Sequence, residues 1–142
     1  LFPYPKTRPV KNFERAKQVT DRVKQDVELV SLSGVKHDEM PYYMNASDAV
    51  LITSNRESGP MVVKEAALCN VPVVSTDVGF VSNALSGISN SYVCDSVDGL
   101  ANSLERVLRN SAPSNGRKKL NEWRLDKMAE RLIKVYKHAI NK

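Results

Sequence analysis

The sequence predicts an α/β domain in which a parallel β-sheet is flanked by helices. Short runs of β-branched residues alternate with segments of helical periodicity, which is the pattern of βαβ units. The run over residues 49–54 has an unbroken apolar centre, typical of a strand buried on both faces of a parallel sheet. With 142 residues, of which 42% are hydrophobic and 26% are charged, the chain has the size and composition of one soluble domain. This composition argues against a disordered chain and against a disulfide-stapled miniprotein.

The first half of the chain is predicted to contain two helices and two strands. Asn12 is a good N-cap residue, and apolar residues recur after it at helical spacing as far as Val23. The first strand is predicted to end at Ser33-Gly34. The strands are expected over 27–32 and 49–54, and a short helix is expected between them over 38–46.

The second half continues this alternation. Pro60 fits the first turn of a helix, where its missing N–H removes no hydrogen bond, and this helix is predicted to end near residue 68. A linker rich in Pro, Gly, Ser and Asn over 111–116 precedes a last helix with a well-formed apolar stripe. The other elements are a strand over 71–76, a weak helix over 81–85, a strand over 92–94, a helix over 99–109 and the last helix over 117–140.

We expect two parts in the chain. Residues 1–116 should form the domain that contains the sheet. Residues 117–142 should form a C-terminal helix that packs on this domain or on an N-terminal domain that the chain lacks. The N-terminus has no Met and resembles a cut edge, so we expect the chain to be a piece of a longer protein.

The charge balance narrows the class of ligand only in part. Lys and Arg total 21, Asp and Glu total 16, and the net charge is +5. This charge fits a phosphate-bearing ligand, an anionic membrane surface or nucleic acid, and does not choose between them. No apolar run approaches the roughly 20 residues needed to cross a bilayer.

The loop after the predicted strand over 49–54 contains the most informative residues. Ligands of parallel sheets bind at the carboxyl ends of the strands. If Gly59 precedes the helix, the amides at its start are unpaired and attract anions or sugar hydroxyl oxygens. Glu57 lies just before this end, and Glu65 lies about 9 Å further along the helix axis. The two carboxylates could bind two separate diols; alternatively, Glu57 caps the helix and Glu65 is a solvated surface residue.

The Glu57-x7-Glu65 spacing belongs to an ordered set of motifs. It follows residues 43–54, which read YMNASDAVLITS, and it precedes residues 66–79, which read AALCNVPVVSTDVG. This set resembles the C-terminal, donor-binding domain of retaining GT-B-fold glycosyltransferases of the glycogen-synthase and mannosyltransferase-like superfamily, the glycosyltransferase group 1. The resemblance implies a Rossmann-like parallel sheet flanked by helices, the C-terminal half of a GT-B fold.

The resemblance also implies roles for individual residues. Glu57 would be the catalytic residue and would face the transferred sugar, and Glu65 would bind the ribose hydroxyls. Lys11 and Arg8 would bind the diphosphate, with Lys6 as the alternative to Arg8. The backbone would complete the donor site: near Gly59, Pro60 and Met61 it would cradle sugar hydroxyls or phosphate, and at Val35 it would lie near the base.

The reaction that the resemblance implies needs cations near the leaving group. Negative charge grows on the diphosphate as the sugar departs, and fixed cations and amides stabilise it. The chain has no Asp-x-Asp motif, since Asp95 and Asp98 are separated by two residues. Because Arg8, Lys11 and the helix N-terminus can take the place of a metal, we expect metal-independent transfer with retention. The donor would be a UDP-, GDP- or ADP-sugar, and no cofactor is expected.

The expected partners and location also follow from the resemblance. The acceptor would be a sugar, a lipid or a polysaccharide, bound with the help of the missing N-terminal domain. This chain alone would then bind a nucleotide but transfer little or nothing. The protein would be cytoplasmic. The basic face of the last helix could contact anionic lipid at the inner face of the membrane; alternatively, this face is exposed to solvent.

Two other functions stay open at this point. One is a nucleotide-sugar epimerase of GT-B architecture, although the Glu57-x7-Glu65 spacing favours transfer. The other is a basic α/β module that binds nucleic acid. Such a module needs aromatic residues interleaved with basic residues on one face, and the sequence shows none, so no nucleic-acid partner is expected.

Overall fold

Three short parallel strands form the central sheet of the domain. The computed structural model describes residues 1–59 and 61–140. The strands pair in chain order, and Val50 lies opposite Val73. Every residue of the first two strands is buried, so both faces of the sheet are covered, since side chains alternate between the faces. The strands are β1 (Val50–Ile52), β2 (Val73–Ser75) and β3 (Tyr92–Val93).

All of the α-helices except the last one pack around this sheet, in two groups. The α-helices of the described residues are α1 (Phe13–Thr20), α2 (Met40–Asn45), α3 (Met61–Leu68), α4 (Val81–Leu85), α5 (Val97–Asn110), α6 (Gly116–Lys119) and α7 (Leu125–Ile140). Two short 3₁₀ helices, Pro9–Lys11 and Leu120–Trp123, precede α1 and α7. The α5 helix contacts α1, β2 and β3, whereas α3 contacts α2, α4, α6 and β2. None of the helices within the described residues is both long enough and apolar enough to span a bilayer.

The first residues of the chain extend the sheet beyond β1. The Leu1 nitrogen donates to the Ala49 carbonyl at 2.7 Å, and the Leu51 amide donates to the Leu1 carbonyl at 2.9 Å. On the other side, Phe2 forms a parallel bridge with Ser31. Residues 1–2 therefore lie between residues 30–32 and β1. When the five extended segments (residues 1–2, residues 30–32, β1, β2 and β3) are numbered in chain order, their order across the sheet is 2-1-3-4-5.

Several predicted elements are confirmed. Asn12 caps α1 as expected, because its side chain accepts a hydrogen bond from the Arg15 amide at 3.1 Å. The predicted strands over 49–54 and 71–76 contain β1 and β2, and the weak helix over 81–85 is α4. The helix predicted over 99–109 begins two residues earlier, because Ser96 caps it through the Gly99 amide.

The strand predicted over 27–32 is wrong. Only Val30 and Leu32 bond to Phe2, and the segment forms a single bridge rather than a ladder. Half-buried and exposed side chains alternate along residues 27–30, and Val30 itself is exposed. No strand of the described residues lies outside this edge of the sheet.

The single helix predicted over 117–140 is also wrong, because the chain turns within it. Arg124 is extended, with φ −60° and ψ 152°, and separates Leu120–Trp123 from α7. None of the residues of α7 is buried, and its apolar stripe is exposed. Packing of this helix on another domain therefore stays a prediction.

Gly116 is expected to be essential for the contact between α6 and α3. A Cβ atom at Gly116 would lie 2.3 Å from the Ala67 carbonyl oxygen and 2.8 Å from the Ala67 Cα. Because both atoms belong to the backbone of α3 at the buried residue Ala67, Gly116→Ala should lower the free energy of unfolding by about 1–3 kcal/mol. Urea unfolding would measure this change, with Ser33→Ala in an exposed loop as the control. Equal stability of Gly116→Ala and wild type would contradict the close approach.

Candidate functional site

The order of the extended segments reverses between residues 1–2 and β1. In open parallel sheets, ligands bind at such a reversal, outside the carboxyl ends of the two strands. The chain that leaves Phe2 contains Tyr4, Arg8 and Lys11, and the chain that leaves β1 contains Ser54 and Glu57. The topology therefore places the loop that follows Phe2 next to the loop that follows β1.

Backbone and side-chain hydrogen bonds fix these two loops to each other. The Asn55 amide donates to the Val10 carbonyl at 2.9 Å. The Thr53 hydroxyl donates to the Asn12 carbonyl at 2.9 Å, and the Asn12 and Asn55 side chains bond at 3.0 Å. The 3₁₀ turn Pro9–Lys11 is thereby fixed beside the end of β1, and this turn directs the Lys11 side chain inward.

A buried ion pair lies at the centre of the site. Lys11 Nζ donates to Glu57 Oε1, and only 7% of the Lys11 side chain and 12% of the Glu57 side chain are exposed. The Ser54 hydroxyl also donates to Glu57 Oε1, at 2.8 Å, and the Tyr4 hydroxyl does so at 3.3 Å. Lys11 Nζ lies 4.0 Å from the centroid of the Tyr4 ring, within the range of a cation–π interaction.

These contacts shift two pKa values in opposite directions. Burial alone would raise the pKa of Glu57, but hydrogen bonds from Lys11 and Ser54 outweigh it and lower that pKa below its ordinary value. Burial, and then the nearby charge of Glu57, raise the pKa of Tyr4. At neutral pH Glu57 is thus an acceptor and Tyr4 is a donor.

The ion pair opens into a depression that is rich in cations. Its volume is about 360 Å³, and Arg8, Lys11, Arg56, Glu57 and Ser58 are among the lining residues. Arg8 and Arg56 are exposed, and no ion pair between described residues involves either of them. The depression can therefore attract an anion.

Glu65 lies in a different, smaller pocket. This pocket has a volume of about 170 Å³, and His37, Met40, Met44 and Leu68 are among its other lining residues. Glu65 Oε1 is 3.8 Å from His37 Nδ1, which is too long for a hydrogen bond. A quarter of the Glu65 side chain is exposed, so its oxygens can reach a ligand.

Two of the remaining predicted residues, Gly59 and Met61, lie at the start of α3. Pro60 lies outside the described residues. Met61 is exposed, Gly59 is half-buried, and Val35 is half-buried in the loop before α2. The structure thus brings Arg8, Lys11 and Glu57 together in one depression. Glu65 lies in the second pocket, and Val35 lies in the loop before α2.

The loop after β2 packs directly on the loop that contains Glu57. Gly79 has φ +60°, and a Cβ atom there would lie 2.8 Å from the Glu57 carbonyl oxygen, so glycine is needed at this position. A Cβ atom at Gly59 would lie 2.6 Å from the Phe80 ring. The Phe80 ring thus lies directly against Gly59, next to the start of α3.

Sequence reasoning missed Tyr4, Ser54 and Arg56. Ser54 and Arg56 lie close to Glu57, at the end of the predicted strand over 49–54 and in the loop after it, so their closeness to Glu57 in the sequence could have identified them. Tyr4 follows a segment that has no strand pattern of its own, and only the tertiary structure shows that it contacts the Lys11–Glu57 pair. Within residues 1–59 and 61–140, no group of three or more His, Cys, Asp and Glu residues is arranged to bind a metal ion.

The chain is similar to glycosyltransferases in sequence and in structure. Residues 10–124 match the family model of the glycosyl transferases group 1. Over 75 residues the chain is 37% identical to D-inositol 3-phosphate glycosyltransferase of Pseudarthrobacter chlorophenolicus, which covers 53% of this chain and 18% of that relative. Sucrose-phosphate synthase from Thermosynechococcus elongatus has a similar fold, with a TM-score of 0.69 and 18% identity over 99% of this chain and 37% of that chain.

These matches confirm the predicted fold and family. The chain spans well under half the length of either relative. The α/β fold with a parallel sheet is that of the predicted GT-B type, and the matches do not favour an epimerase or a nucleic-acid-binding module. The family model matches well over half of the chain, so the chain belongs to the group 1 glycosyltransferases.

Proposed function

We propose that this domain binds the nucleotide-sugar donor of a glycosyltransferase. The observation that supports this most directly is the buried Lys11–Glu57 pair, which opens into a depression lined by Arg8 and Arg56 at the reversal of strand order. A diphosphate would bind to these cations in the depression. The ribose would reach Glu65, and the base would lie in the apolar pocket of His37 and Met40, near Val35.

The charges of the site suit the chemistry of such a donor. As the bond between the sugar and the diphosphate breaks, negative charge develops on the leaving group, and fixed cations stabilise it without reorganisation. Glu57 is ionised and can only accept hydrogen bonds, so it would bind a hydroxyl of the transferred sugar. Arg8, Lys11 and the amides at the start of α3, near Gly59 and Met61, would act without a metal, and the transfer would retain configuration.

The rest of the reaction is assigned to parts outside this chain. An N-terminal domain of a longer protein would supply the acceptor site, and the acceptor would be a sugar, a lipid or a polysaccharide. The enzyme would act in the cytoplasm, which fits the two free cysteines, Cys69 and Cys94.

A panel of nucleotides would test donor binding. The melting temperature would be measured with UDP, GDP and ADP, with their sugars, and with the nucleosides as controls. A ligand at about 100 times its Kd adds about 2.7 kcal/mol of stability, which should raise Tm by about 5–10 °C. We expect one base to give this rise as a diphosphate and a much smaller one as a nucleoside. If no diphosphate changes Tm, the proposed function is wrong.

A further inference from the structure

Tyr4 is fixed beneath the ion pair by contacts on several sides. Its ring meets the Phe2 ring edge to face, with centroids 5.6 Å apart and planes at 79°. Its carbonyl accepts a hydrogen bond from the Ser31 hydroxyl at 2.8 Å. Tyr4 is buried, and its position is therefore set by the core rather than by the ligand site.

The donors around Glu57 all converge on one oxygen. Lys11 Nζ, the Ser54 hydroxyl and the Tyr4 hydroxyl each donate to Oε1. Among the described residues, no donor reaches Oε2. The carboxylate is thus anchored through one oxygen, and the other oxygen is available to a ligand in the depression.

We propose that Tyr4 is a positioning residue of the donor site, whose ring fixes the Lys11 ammonium for the diphosphate and whose hydroxyl, with Ser54, orients Glu57 so that Oε2 faces the donor sugar. This inference rests on the proposed function. Tyr4 itself does not contact the donor. Because the Tyr4 pKa is raised, the hydroxyl keeps its proton and stays a donor at any pH at which the enzyme would work.

The two parts of the Tyr4 side chain should affect different parts of the ligand. The ring should affect binding of the diphosphate, and the hydroxyl should affect binding of the sugar. Tyr4→Phe keeps the ring under Lys11 but removes the hydrogen bond to Glu57. It should leave the affinity for the nucleoside diphosphate within about twofold of wild type and weaken the nucleotide sugar about fivefold, since the lost bond is worth about 1 kcal/mol. Ser54→Ala should weaken the nucleotide sugar in the same way. Tyr4→Leu also removes the ring, so it should weaken the diphosphate itself about tenfold.

Isothermal titration calorimetry with the 142-residue chain would measure these affinities, using the base that binds wild type. Tyr92→Phe is the matched control, because Tyr92 also contacts a cation through its ring, with the Arg106 guanidinium 4.6 Å from the centroid, but lies on β3. It should change neither affinity. A purely structural role of Tyr4 would lower Tm and weaken both ligands equally.

The possible failures are distinguishable. If Tyr4→Phe and Ser54→Ala bind the nucleotide sugar as tightly as wild type does, the positioning role is wrong and the proposed function stands. If wild type binds no nucleotide, the proposed function and this inference fail together. If Tyr4→Leu does not fold, the affinities of Tyr4→Phe and Ser54→Ala for the nucleotide sugar, compared with wild type, still test the positioning role.

Discussion

Lys11→Met is expected to lower the free energy of unfolding by about 3 kcal/mol, because it leaves the Glu57 carboxylate without its cation. Both side chains are almost fully buried, so water cannot replace the lost partner completely. Glu57 does border the open depression, which places the expected effect at the lower end of the range for buried pairs. Urea unfolding at pH 7 would measure it.

The matching variant, Glu57→Gln, leaves Lys11 as the unpaired charge. We expect it to be destabilised by a similar amount, since Lys11 is buried on the Tyr4 ring. The double variant leaves no unpaired charge, so its loss should be smaller than that of either single variant and far below the sum of about 6 kcal/mol. Lys127→Met is the control, because the Lys127–Glu130 pair on α7 is exposed and contributes about 0.5 kcal/mol or less. Additive losses would contradict the coupling of Lys11 with Glu57.

Lowering the pH should weaken the same pair in wild type. Because the folded state lowers the pKa of Glu57 below its ordinary value of 4.5, the ionised pair stabilises the fold above that pH. This stabilisation is lost as the pH falls from 4.5 towards the lower pKa of the folded state. The difference in stability between wild type and Glu57→Gln should therefore shrink between pH 6 and pH 3. A constant difference over this range would show that Glu57 is not held ionised by its partners.

Local sequence signals predicted the elements of the fold that depend on residues close together in the chain. Asn12 was identified as an N-cap from its residue type, and β1 was identified from an apolar run that only a doubly covered strand tolerates. The strand over 27–32 failed because the segment pairs only with Phe2, through a single bridge at Ser31. Strand formation depends on a partner, and a pattern within one segment does not show whether the partner continues.

The same limit applies to the candidate site. The sequence pointed to Lys11 and Glu57 through a resemblance, but nothing in it indicated that the two side chains bond directly or that both are buried. It also treated Glu57 and Glu65 as two sides of one helix end, whereas the structure places them in separate pockets. Tyr4 was missed because its role depends on contacts with Lys11 and Glu57 that are 7 and 53 residues away in the chain.

Glu65→Ala is expected to weaken binding of a nucleoside diphosphate about 30-fold without unfolding the domain. A carboxylate that accepts two hydrogen bonds from the ribose diol contributes roughly 2 kcal/mol. Within the described residues, the only ionisable side chain that Glu65 approaches within 4 Å is the His37 ring, at 3.8 Å. Its removal should therefore leave Tm almost unchanged, as should the control Glu28→Ala in an exposed segment.

The ligand provides the second half of this experiment. A 2′,3′-dideoxy nucleoside diphosphate lacks the diol, so it should bind wild type about 30-fold more weakly than the normal ligand does. Glu65→Ala should then bind the two ligands equally, because the interaction that distinguishes them is absent. Lys11→Met should show the reverse behaviour and lose affinity for the diphosphate whether or not the ribose carries its hydroxyls. If Glu65→Ala still distinguishes the two ligands as wild type does, another residue binds the ribose and Glu65 is a surface carboxylate of α3.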